Sequence, residues 1–413
     1  MTRSKLGSYA HGQFAVDYEA RVDLETLRRE RVERAISAMA DEGLDAVLVW
    51  KDENVRFLSG LRAQIIQGKS ALLNGCLLTR DGASALLLSG GEVDRAGLSM
   101  TWADEVRQIP IVEARQLIFA TVEQTVKPLL ERFGLDGGRI GIDEAEFAMV
   151  QALGQHCPGV TLEDGDHPMQ TARRVKSPRE LALMQEASAI AEALTEVAID
   201  AVRPGVREYE VCAEAMRELY RCGGEMAHLA TPFVASGEHM SPPHRFSTDK
   251  FIREGDLVFI DIGAMYNGYF SDLGRTIICG RPSRRQQEIY TAVFNALEAA
   301  RNAMRVGNTN DDVAEAVLAE GRASGLGENF LSLFIGHGIG IGSNEPPYVG
   351  EALPGAETVR LELGMTMAIE PLIWLPDVPG GGGVRLEDTI VVGEREGVSL
   401  TRTAFDERLV LDG

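Results

Sequence analysis

The first part of the chain alternates between helical and strand-like hydrophobic patterns. Apolar residues recur at helical spacing from Leu24 to Gly43, with Asp23 as the N-cap, and a second helical pattern runs over about Arg115–Phe133. Apolar runs typical of strands occur at Asp45–Trp50, Leu72–Leu78, Ala85–Leu88 and Arg139–Glu144. Strands that alternate with helices indicate an α/β unit over roughly the first 170 residues.

The second part of the chain has a different pattern, with helices separated by strands that end in glycine. The boundary is predicted at TARRVKSPRE (Thr171–Glu180), where a basic run precedes a Ser-Pro helix start. A long helix follows to about Val202, and further helices are predicted at about Arg207–Arg221, Arg284–Met304 and Asn310–Ala323. We therefore expect an α/β N-terminal domain over residues 1–172 and an α+β domain over residues 173–413.

Composition narrows the function classes. The 413 residues suffice for two domains, and 45% apolar with 25% charged residues is ordinary for a soluble globular protein. The net charge of −21 argues against nucleic acid or an anionic membrane as partner, and fits either a solvated acidic surface or carboxylates gathered around cations. The N-terminus lacks the apolar core of a secretory signal, and five scattered cysteines without a CxxC pair predict a cytoplasmic protein.

The segment LVFIDIGAMYNGYFSDLGRT (Leu257–Thr276) predicts a hairpin that carries two acids. Asn267-Gly268 is a strong signal for a two-residue type I′ turn, which sets the strand register. In that register Asp261 and Asp272 are diagonal neighbours on one face, roughly 7–8 Å apart along the backbone. Each acid lies opposite a glycine, so the space between them is expected to be clear. The alternative is a pair of solvated turn acids.

Two further carboxylates and one histidine strengthen the first interpretation. Glu370 ends the apolar run MTMAIEP, and Glu387 lies in GVRLEDTIVV, where a lone buried charge would be costly. Four carboxylates would balance two divalent cations, and His337 is the candidate nitrogen donor. Such a set suits Mn, Co, Fe or Zn, while the sequence does not select among them.

His337 lies in GHGIGIGSNEPP (Gly336–Pro347), which allows three interpretations: a phosphate-binding loop, a flexible connection, or a ligand loop. A phosphate loop needs a helix directly after its glycines, but Pro346-Pro347 follows here. We therefore predict a ligand loop, whose glycines keep the backbone thin and leave room for substrate around His337.

These motifs together resemble the pita-bread metallopeptidase family, which includes aminopeptidase P, prolidase, methionine aminopeptidase and creatinase. The matching pieces are DIG, SDLGRT, GHGIGIGSNEPP, GMTMAIEP and GVRLED, in family order. Upstream, PFVASGEHMSPPH and RRVKSPRELALMQEA match as well. The resemblance is strong over residues 171–400 and loose before them. It implies a pita-bread fold for the second domain and a creatinase-like first domain.

The resemblance also implies roles for the five candidate ligands. Asp261 would chelate one metal ion, and Asp272 and Glu387 would bridge both. His337 and Glu370 would hold the second ion. Glu370 also resembles the family carboxylate that takes a proton from the attacking water and delivers it to the leaving nitrogen.

Other residues are assigned by the same resemblance. His244, seventeen residues before Asp261, matches the family's active-site histidine, although by itself it would be read as a turn histidine. Arg385 alternates with Glu387 and is expected to support a ligand carboxylate. His228 and His239 flank PFVASGE and are weaker candidates for the pocket wall, and His11 is expected to be a surface or turn residue. Within FLSGLRAQ, Arg62 is a candidate for holding a substrate carboxylate across a homodimer interface.

One position departs from the family pattern. The peptidases carry a second histidine seven residues after the metal-binding histidine, and this chain has Asn344 there. An amide can donate a hydrogen bond to a substrate but cannot carry a proton at neutral pH. The substitution does not affect the predicted metal site, but it puts cleavage of Xaa-Pro peptides in doubt.

Three functional hypotheses follow. The first is a dinuclear metallohydrolase of the aminopeptidase P or prolidase type, acting on a short peptide. The second is a relative that acts on a small non-peptide, as a creatinase-like or ectoine-hydrolase-like C–N hydrolase or a sulfonium-osmolyte lyase. The third, a binding module, is disfavoured because all five ligand positions are intact.

Overall fold

The computed structural model describes residues 22–62, 74–110, 115–229, 232–244, 246–351 and 357–411. The chain divides into two compact units, Met1–Arg173 and Arg174–Gly413. His11 and the last two residues of FLSGLRAQ lie outside the described residues. Among the helices of the described ranges, none is long and apolar enough to cross a membrane.

The N-terminal unit is built on a mixed six-stranded sheet. Its strands are β1 (Ala46–Val49), β2 (Asn74–Thr79), β3 (Ser84–Ser89), β4 (Glu105–Ile109), β5 (Arg139–Ile142) and β6 (Thr161–Asp164). They are ordered β4-β3-β2-β1-β5-β6. β1, β2 and β3 pair antiparallel, whereas β3–β4, β1–β5 and β5–β6 pair parallel. This arrangement confirms the predicted α/β architecture.

Helices surround this sheet and supply its core. They are α1 (Leu24–Asp41), α2 (Asp52–Ser59), α3 (Glu92–Ser99), α4 (Arg115–Thr121), α5 (Lys127–Arg132), α6 (Phe147–His156) and α7 (Asp166–Arg174). The Asp23 carboxylate accepts a hydrogen bond from the Thr26 backbone N–H and caps α1, as predicted. A π-helical turn, Val122–Val126, joins α4 to α5, so the predicted single helix is continuous but irregular.

The first half of the C-terminal unit packs two helices on two small antiparallel sheets. The helices are α8 (Pro178–Ala201) and α9 (Glu208–Arg221), and the strands are β7 (Met226–Ala227), β8 (Phe233–Ser236), β9 (Leu257–Asp261), β10 (Ala264–Tyr266), β11 (Tyr269–Ser271) and β12 (Gly274–Ile278). The sheets have the orders β12-β9-β8 and β11-β10-β7. A capping box between Ser177 and Glu180 begins α8. Apolar side chains from both helices and both sheets form one core cluster.

The second half repeats the scheme with another helix pair. The helices are α10 (Arg284–Ala303) and α11 (Asn310–Ala323), and the strands are β13 (Gly336–Gly338), β14 (Glu345–Val349), β15 (Thr366–Ile369), β16 (Leu372–Trp374), β17 (Gly383–Arg385), β18 (Asp388–Val391) and β19 (Val398–Ser399). Five strands form a sheet of order β14-β13-β15-β18-β19, and β16 pairs with β17. α10 and α11 share a second apolar cluster with these strands.

The predicted hairpin register is confirmed. Asn267 and Gly268 have φ values of 47° and 84°, as a type I′ turn requires. Ala264 pairs with Ser271 and Tyr266 with Tyr269, and beyond them Asp261 pairs with Gly274. The turn residues therefore set which side chains share a face over the whole hairpin.

Candidate metal centre

The five predicted ligand residues converge inside the C-terminal unit. Asp261 ends β9 and Asp272 follows β11, while His337 lies within β13. Glu370 directly follows β15, and Glu387 directly precedes β18. Each of the five is at most 5% exposed to solvent. The alternative of solvated turn acids at Asp261 and Asp272 is therefore wrong, because antiparallel strands from both halves of the unit enclose them.

His337 presents one ring nitrogen to the carboxylates. Its Nε2 lies 3.4 Å from Glu370 Oε1 and 3.7 Å from Asp272 Oδ2. Its Nδ1 lies 2.9 Å from the Gly338 carbonyl oxygen, which can only accept a hydrogen bond. The proton of a neutral imidazole is therefore held on Nδ1, and Nε2 keeps the lone pair that a metal ion needs. One ring nitrogen of His337 and single oxygens of Asp272 and Glu387 all lie within 4.8 Å of one another.

Arg385, at the end of β17, contributes a buried positive charge. Its Nη1 lies 2.9 Å from Glu370 Oε2 and 3.4 Å from Asp261 Oδ2. The guanidinium therefore holds two of the carboxylates in place, as expected for a residue that supports ligands rather than acting as one.

The remaining carboxylate charge is poorly compensated. Asp261 Oδ1 and Glu387 Oε2 are buried without a hydrogen-bond partner among the described residues. Burial, followed by repulsion from neighbouring carboxylates, raises the pKa values of Asp272 and Glu387 well above their usual range. Burial also raises the pKa of Asp261 to about 7, although Arg385 opposes the shift.

Glu370 behaves differently from the other three. Burial raises the pKa of Glu370, but Arg385 and His337 together lower it by a larger amount. The net pKa is therefore below its usual range. The pKa is lowered for one of the four carboxyl groups and raised for the other three, and two of their oxygens have no hydrogen-bond partner among the described residues. Bound divalent cations would compensate these charges and fill the empty acceptor positions. The residues present fit a dinuclear site of oxygen donors with nitrogen.

Side chains from other segments occupy the space next to Gly263 and Gly274 of the hairpin, so one prediction is wrong. We expected the space opposite Asp261 and Asp272 to be clear. Instead, a Cβ at Gly274 would lie 2.8 Å from Glu387 Oε2, and one at Gly263 would clash with the Ser271 carbonyl oxygen and lie 2.6 Å from the Cβ of His228. Gly274 is needed because Glu387 approaches it, and Gly263 because both the Ser271 carbonyl and His228 approach it. Glu387 and His228 come from neighbouring segments that the hairpin sequence does not reveal.

All four carboxylates line a cavity of about 400 Å³. Its walls are His228, Leu229, Phe233, Phe246, Phe334 and Asn344. An apolar wall with a few converging polar groups is typical of a small-molecule or peptide site. Asn344 and His228 are thus both brought to the cavity, and the aromatic wall residues carry no motif that would have identified them from the sequence.

His244 lies beside this cavity rather than in its lining. Its ring stacks on Phe246, which lines the cavity, with centroids 5.6 Å apart, and on His239 at 4.2 Å. His239 Nδ1 in turn lies 3.2 Å from Glu208 Oε1. Arg62, the remaining candidate, belongs to the N-terminal unit, where its backbone carbonyl accepts a hydrogen bond from Arg95.

Two glycines that follow His337, Gly340 and Gly342, have a different cause from the one predicted. Lys176 Nζ lies 2.9 Å from Glu345 Oε1, and both side chains are buried. A Cβ at Gly340 would lie 2.6 Å from Lys176 Cε, and one at Gly342 would lie 2.8 Å from Glu345 Oε2. These glycines therefore make room for a buried ion pair, not for substrate. The loop is strand–turn–strand without a helix, so the phosphate-loop interpretation is excluded.

Comparison with known proteins agrees with this geometry. Residues 182–394 match the model of metallopeptidase family M24, and residues 31–175 match the creatinase/prolidase N-terminal domain. An Xaa-Pro dipeptidase of Pyrococcus furiosus is 31% identical over 91% of this chain and 98% of its own length.

Solved structures give the same result. An Xaa-Pro dipeptidase from Bacillus anthracis has a TM-score of 0.77 and 26% identity, covering 92% of this chain and 99% of its own. A prolidase from Pyrococcus horikoshii OT3 has a TM-score of 0.74 and 27% identity, covering 91% and 99%. The predicted α/β domain followed by a pita-bread domain is confirmed. The chain belongs to metallopeptidase family M24, whose members are metal-dependent hydrolases, and carries a creatinase/prolidase N-terminal domain.

Proposed function

We propose that this chain is a dinuclear peptidase that cleaves the amide bond before proline in short peptides. The observation that carries the proposal is the convergence of four buried carboxylates and one imidazole, with orphaned oxygens on Asp261 and Glu387. The names of the relatives from Pyrococcus furiosus and Bacillus anthracis support the substrate class.

The proposed ligand roles follow the family pattern. Asp261 would hold one cation, His337 and Glu370 the other, and Asp272 and Glu387 both. When bound, the two divalent cations polarise the substrate carbonyl and make a water molecule more acidic. Mn, Co, Fe and Zn all suit this donor set.

Side chains of the site would transfer the proton of the attacking water. In hydrolysis an oxygen–carbon bond forms, the carbon–nitrogen bond breaks, and a proton moves from the water to the leaving nitrogen. Glu370 is assigned this transfer by the family resemblance, and its Oε1 lies 3.4 Å from His337 Nε2 within the cluster. Arg385 orients Glu370 through its 2.9 Å contact. His244 would hydrogen-bond the substrate or the tetrahedral intermediate, as the resemblance implies.

The test combines metal content with activity on Xaa-Pro dipeptides. Protein stripped with chelator and reloaded should bind two cations per chain and hydrolyse the dipeptides. Glu370→Gln and His337→Ala should abolish hydrolysis, while the control His156→Gln, in the N-terminal unit, should not. Fewer than one cation per chain, or full activity in both ligand variants, would contradict the proposal.

Asn344 supports a second candidate function, in which the chain acts on a small non-peptide either as a C–N hydrolase or as a lyase. It lines the cavity at a position where the family's peptidases carry histidine. A panel of Xaa-Pro dipeptides, creatine, ectoine and sulfonium osmolytes separates the two candidates. Asn344→His should raise turnover of dipeptides if the amide disfavours them, and unchanged turnover would remove the basis for this alternative.

We also propose the organisation of the active protein. Residues 1–172 would form the N-terminal domain and residues 173–413 the catalytic domain. In a homodimer, Arg62 of one subunit would hold the substrate carboxylate in the other subunit's site. A cytoplasmic location is supported by the five cysteines, none of which is in a disulfide. An Arg62→Ala variant with a raised KM and unchanged kcat would support the role of Arg62.

A further inference from the structure

A second histidine reaches the carboxylate cluster from outside the recognised motifs. His228 Nε2 lies 3.1 Å from Asp272 Oδ2, and the His228 side chain is 6% exposed. Its ring is nearly parallel to that of His337, with centroids 6.4 Å apart, and meets the edge of Phe270 at 6.3 Å. No motif in the sequence pointed to His228 as part of the cluster.

The backbone register fixes His228 in this position. In the pairing of β7 with β10, Ala227 lies opposite Ala264. The following residue of the first segment, His228, continues this pairing, because its backbone N–H donates to the Gly263 carbonyl at 3.0 Å. The hairpin register places Gly263 opposite Asp272 on its other side. His228, Gly263 and Asp272 thus form a row across three adjacent segments.

A matching row contains an assigned ligand. Gly274 pairs with Asp261 on one side and forms a bridge with Glu387 on the other. In both rows a central glycine without a side chain lets an outer residue reach across toward a carboxylate. Glu387 occupies the outer place in one row, and His228 occupies the equivalent place in the other.

We propose that His228 is a sixth metal ligand, which gives its Nε2 to the cation held by Asp261 and Asp272. The inference rests on the proposed dinuclear site. One ring nitrogen of His228 and single oxygens of Asp261 and Asp272 all lie within 4.8 Å of one another. The same holds for one ring nitrogen of His337 and single oxygens of Asp272 and Glu387. Each cation would then have one imidazole, and Asp272 would belong to both groups.

The simpler alternative is that His228 only donates a hydrogen bond to Asp272. That bond needs the His228 proton on Nε2, whereas ligation needs the lone pair on the same nitrogen. A second imidazole also changes metal preference, because nitrogen donors favour Co and Zn over Mn. The two interpretations therefore predict different metal chemistry.

X-ray absorption of the Co²⁺-loaded wild-type protein is the direct test and needs no variant. With two Co²⁺ per chain, His228 as ligand predicts an average of one imidazole per cobalt. A value of one half, which corresponds to His337 alone, would overturn the proposal.

His228→Gln separates ligation from hydrogen bonding. The glutamine amide can still donate to Asp272 but removes the imidazole nitrogen. The average should fall from one imidazole per cobalt to one half, and Co²⁺ should bind one of its two sites at least about 10–100-fold more weakly. Zn²⁺ should lose more affinity than Mn²⁺. An unchanged imidazole count and affinity would contradict ligation, and His156→Gln, outside the cluster, is the matched control.

His337→Gln distinguishes failure of this inference from failure of the proposed function. If the imidazole count falls in His337→Gln but not in His228→Gln, the dinuclear site stands and His228 is not a ligand. If neither variant changes the count, or if the wild type binds fewer than two Co²⁺, the ligand set itself is wrong.

Discussion

Two buried aspartates, one in each unit, differ in how their charge is accommodated. Asp143 in the N-terminal unit accepts hydrogen bonds from the Trp50 and Lys51 amides and from Asn54 Nδ2, at 2.8, 3.0 and 2.9 Å. Asp261 in the C-terminal unit has one 3.4 Å contact, to Arg385, and one oxygen without a partner among the described residues.

Their pKa values do not separate them, because burial raises both, Asp143 to about 6 and Asp261 to about 7. The neighbours do. The Asp143 carboxylate accepts hydrogen bonds from the two backbone N–H groups that follow β1 and so holds this segment in place. Such satisfied hydrogen bonds are typical of a residue that stabilises the fold. Asp261 lies among three other carboxylates, an arrangement that destabilises the fold unless cations bind. Unsatisfied acceptors, rather than burial or pKa, therefore distinguish the aspartate proposed to bind a cation from the one that stabilises the N-terminal unit.

The largest expected effect is loss of activity on removing a cluster charge. Asp272→Asn should lower kcat/KM by more than about 100-fold, the upper range for residues that only support ligands. In chelator the same variant should unfold at a temperature no lower than the wild type, because a repelled charge is removed. Asp143→Asn, measured in parallel, should keep its activity. Loss of stability in metal-free Asp272→Asn would contradict the comparison.

The buried ion pair behind the His337 loop gives the next largest effect. Glu345→Ala leaves Lys176 charged and buried, which should lower the free energy of unfolding by about 3–5 kcal/mol. The double variant Lys176→Met, Glu345→Leu should recover most of this loss, since it removes both charges. Urea unfolding of the three proteins measures the effect. Equal destabilisation in the single and double variants would mean that packing, not charge, is responsible.

Truncating the two compared aspartates should have opposite effects on stability. Asp143→Ala leaves the Trp50 and Lys51 amides without their acceptor and should destabilise the protein by about 1–3 kcal/mol. Asp261→Ala in chelator should be neutral or stabilising, because it relieves repulsion. Denaturant midpoints of both variants in chelator provide the check. Similar losses in both would remove the distinction drawn between the two sites.

The smallest effect concerns pH. The folded-state pKa of Asp143, about 6, lies above its ordinary value of 3.8, so the native state binds the extra proton between these values. The contribution of Asp143 to stability is therefore largest below pH 3.8 and declines as pH rises to about 6. The slope is at most about 1.4 kcal/mol per pH unit. The difference in urea midpoint between wild type and Asp143→Asn from pH 4 to 7 isolates this slope. A flat difference would contradict it.

The sequence by itself determined the features that depend on local chemistry. The Asn267-Gly268 turn sets the hairpin register, because its two positive φ angles admit a single strand pairing. That register in turn places Asp261 and Asp272 on one face. The α/β and α+β patterns, the cap of α1 and the capping box of α8 follow in the same way from short-range preferences.

Only the tertiary structure decided what fills the space next to those residues. The Lys176–Glu345 pair joins positions 169 residues apart, and it explains two glycines that the sequence had suggested were kept for substrate. His228 meets Asp272 because a short strand pairs beside the hairpin, which no periodicity indicates. Local sequence patterns determine the direction in which a side chain points, whereas packing between distant segments determines which groups it meets. The chemistry of this centre depends on those groups, and therefore on the tertiary structure.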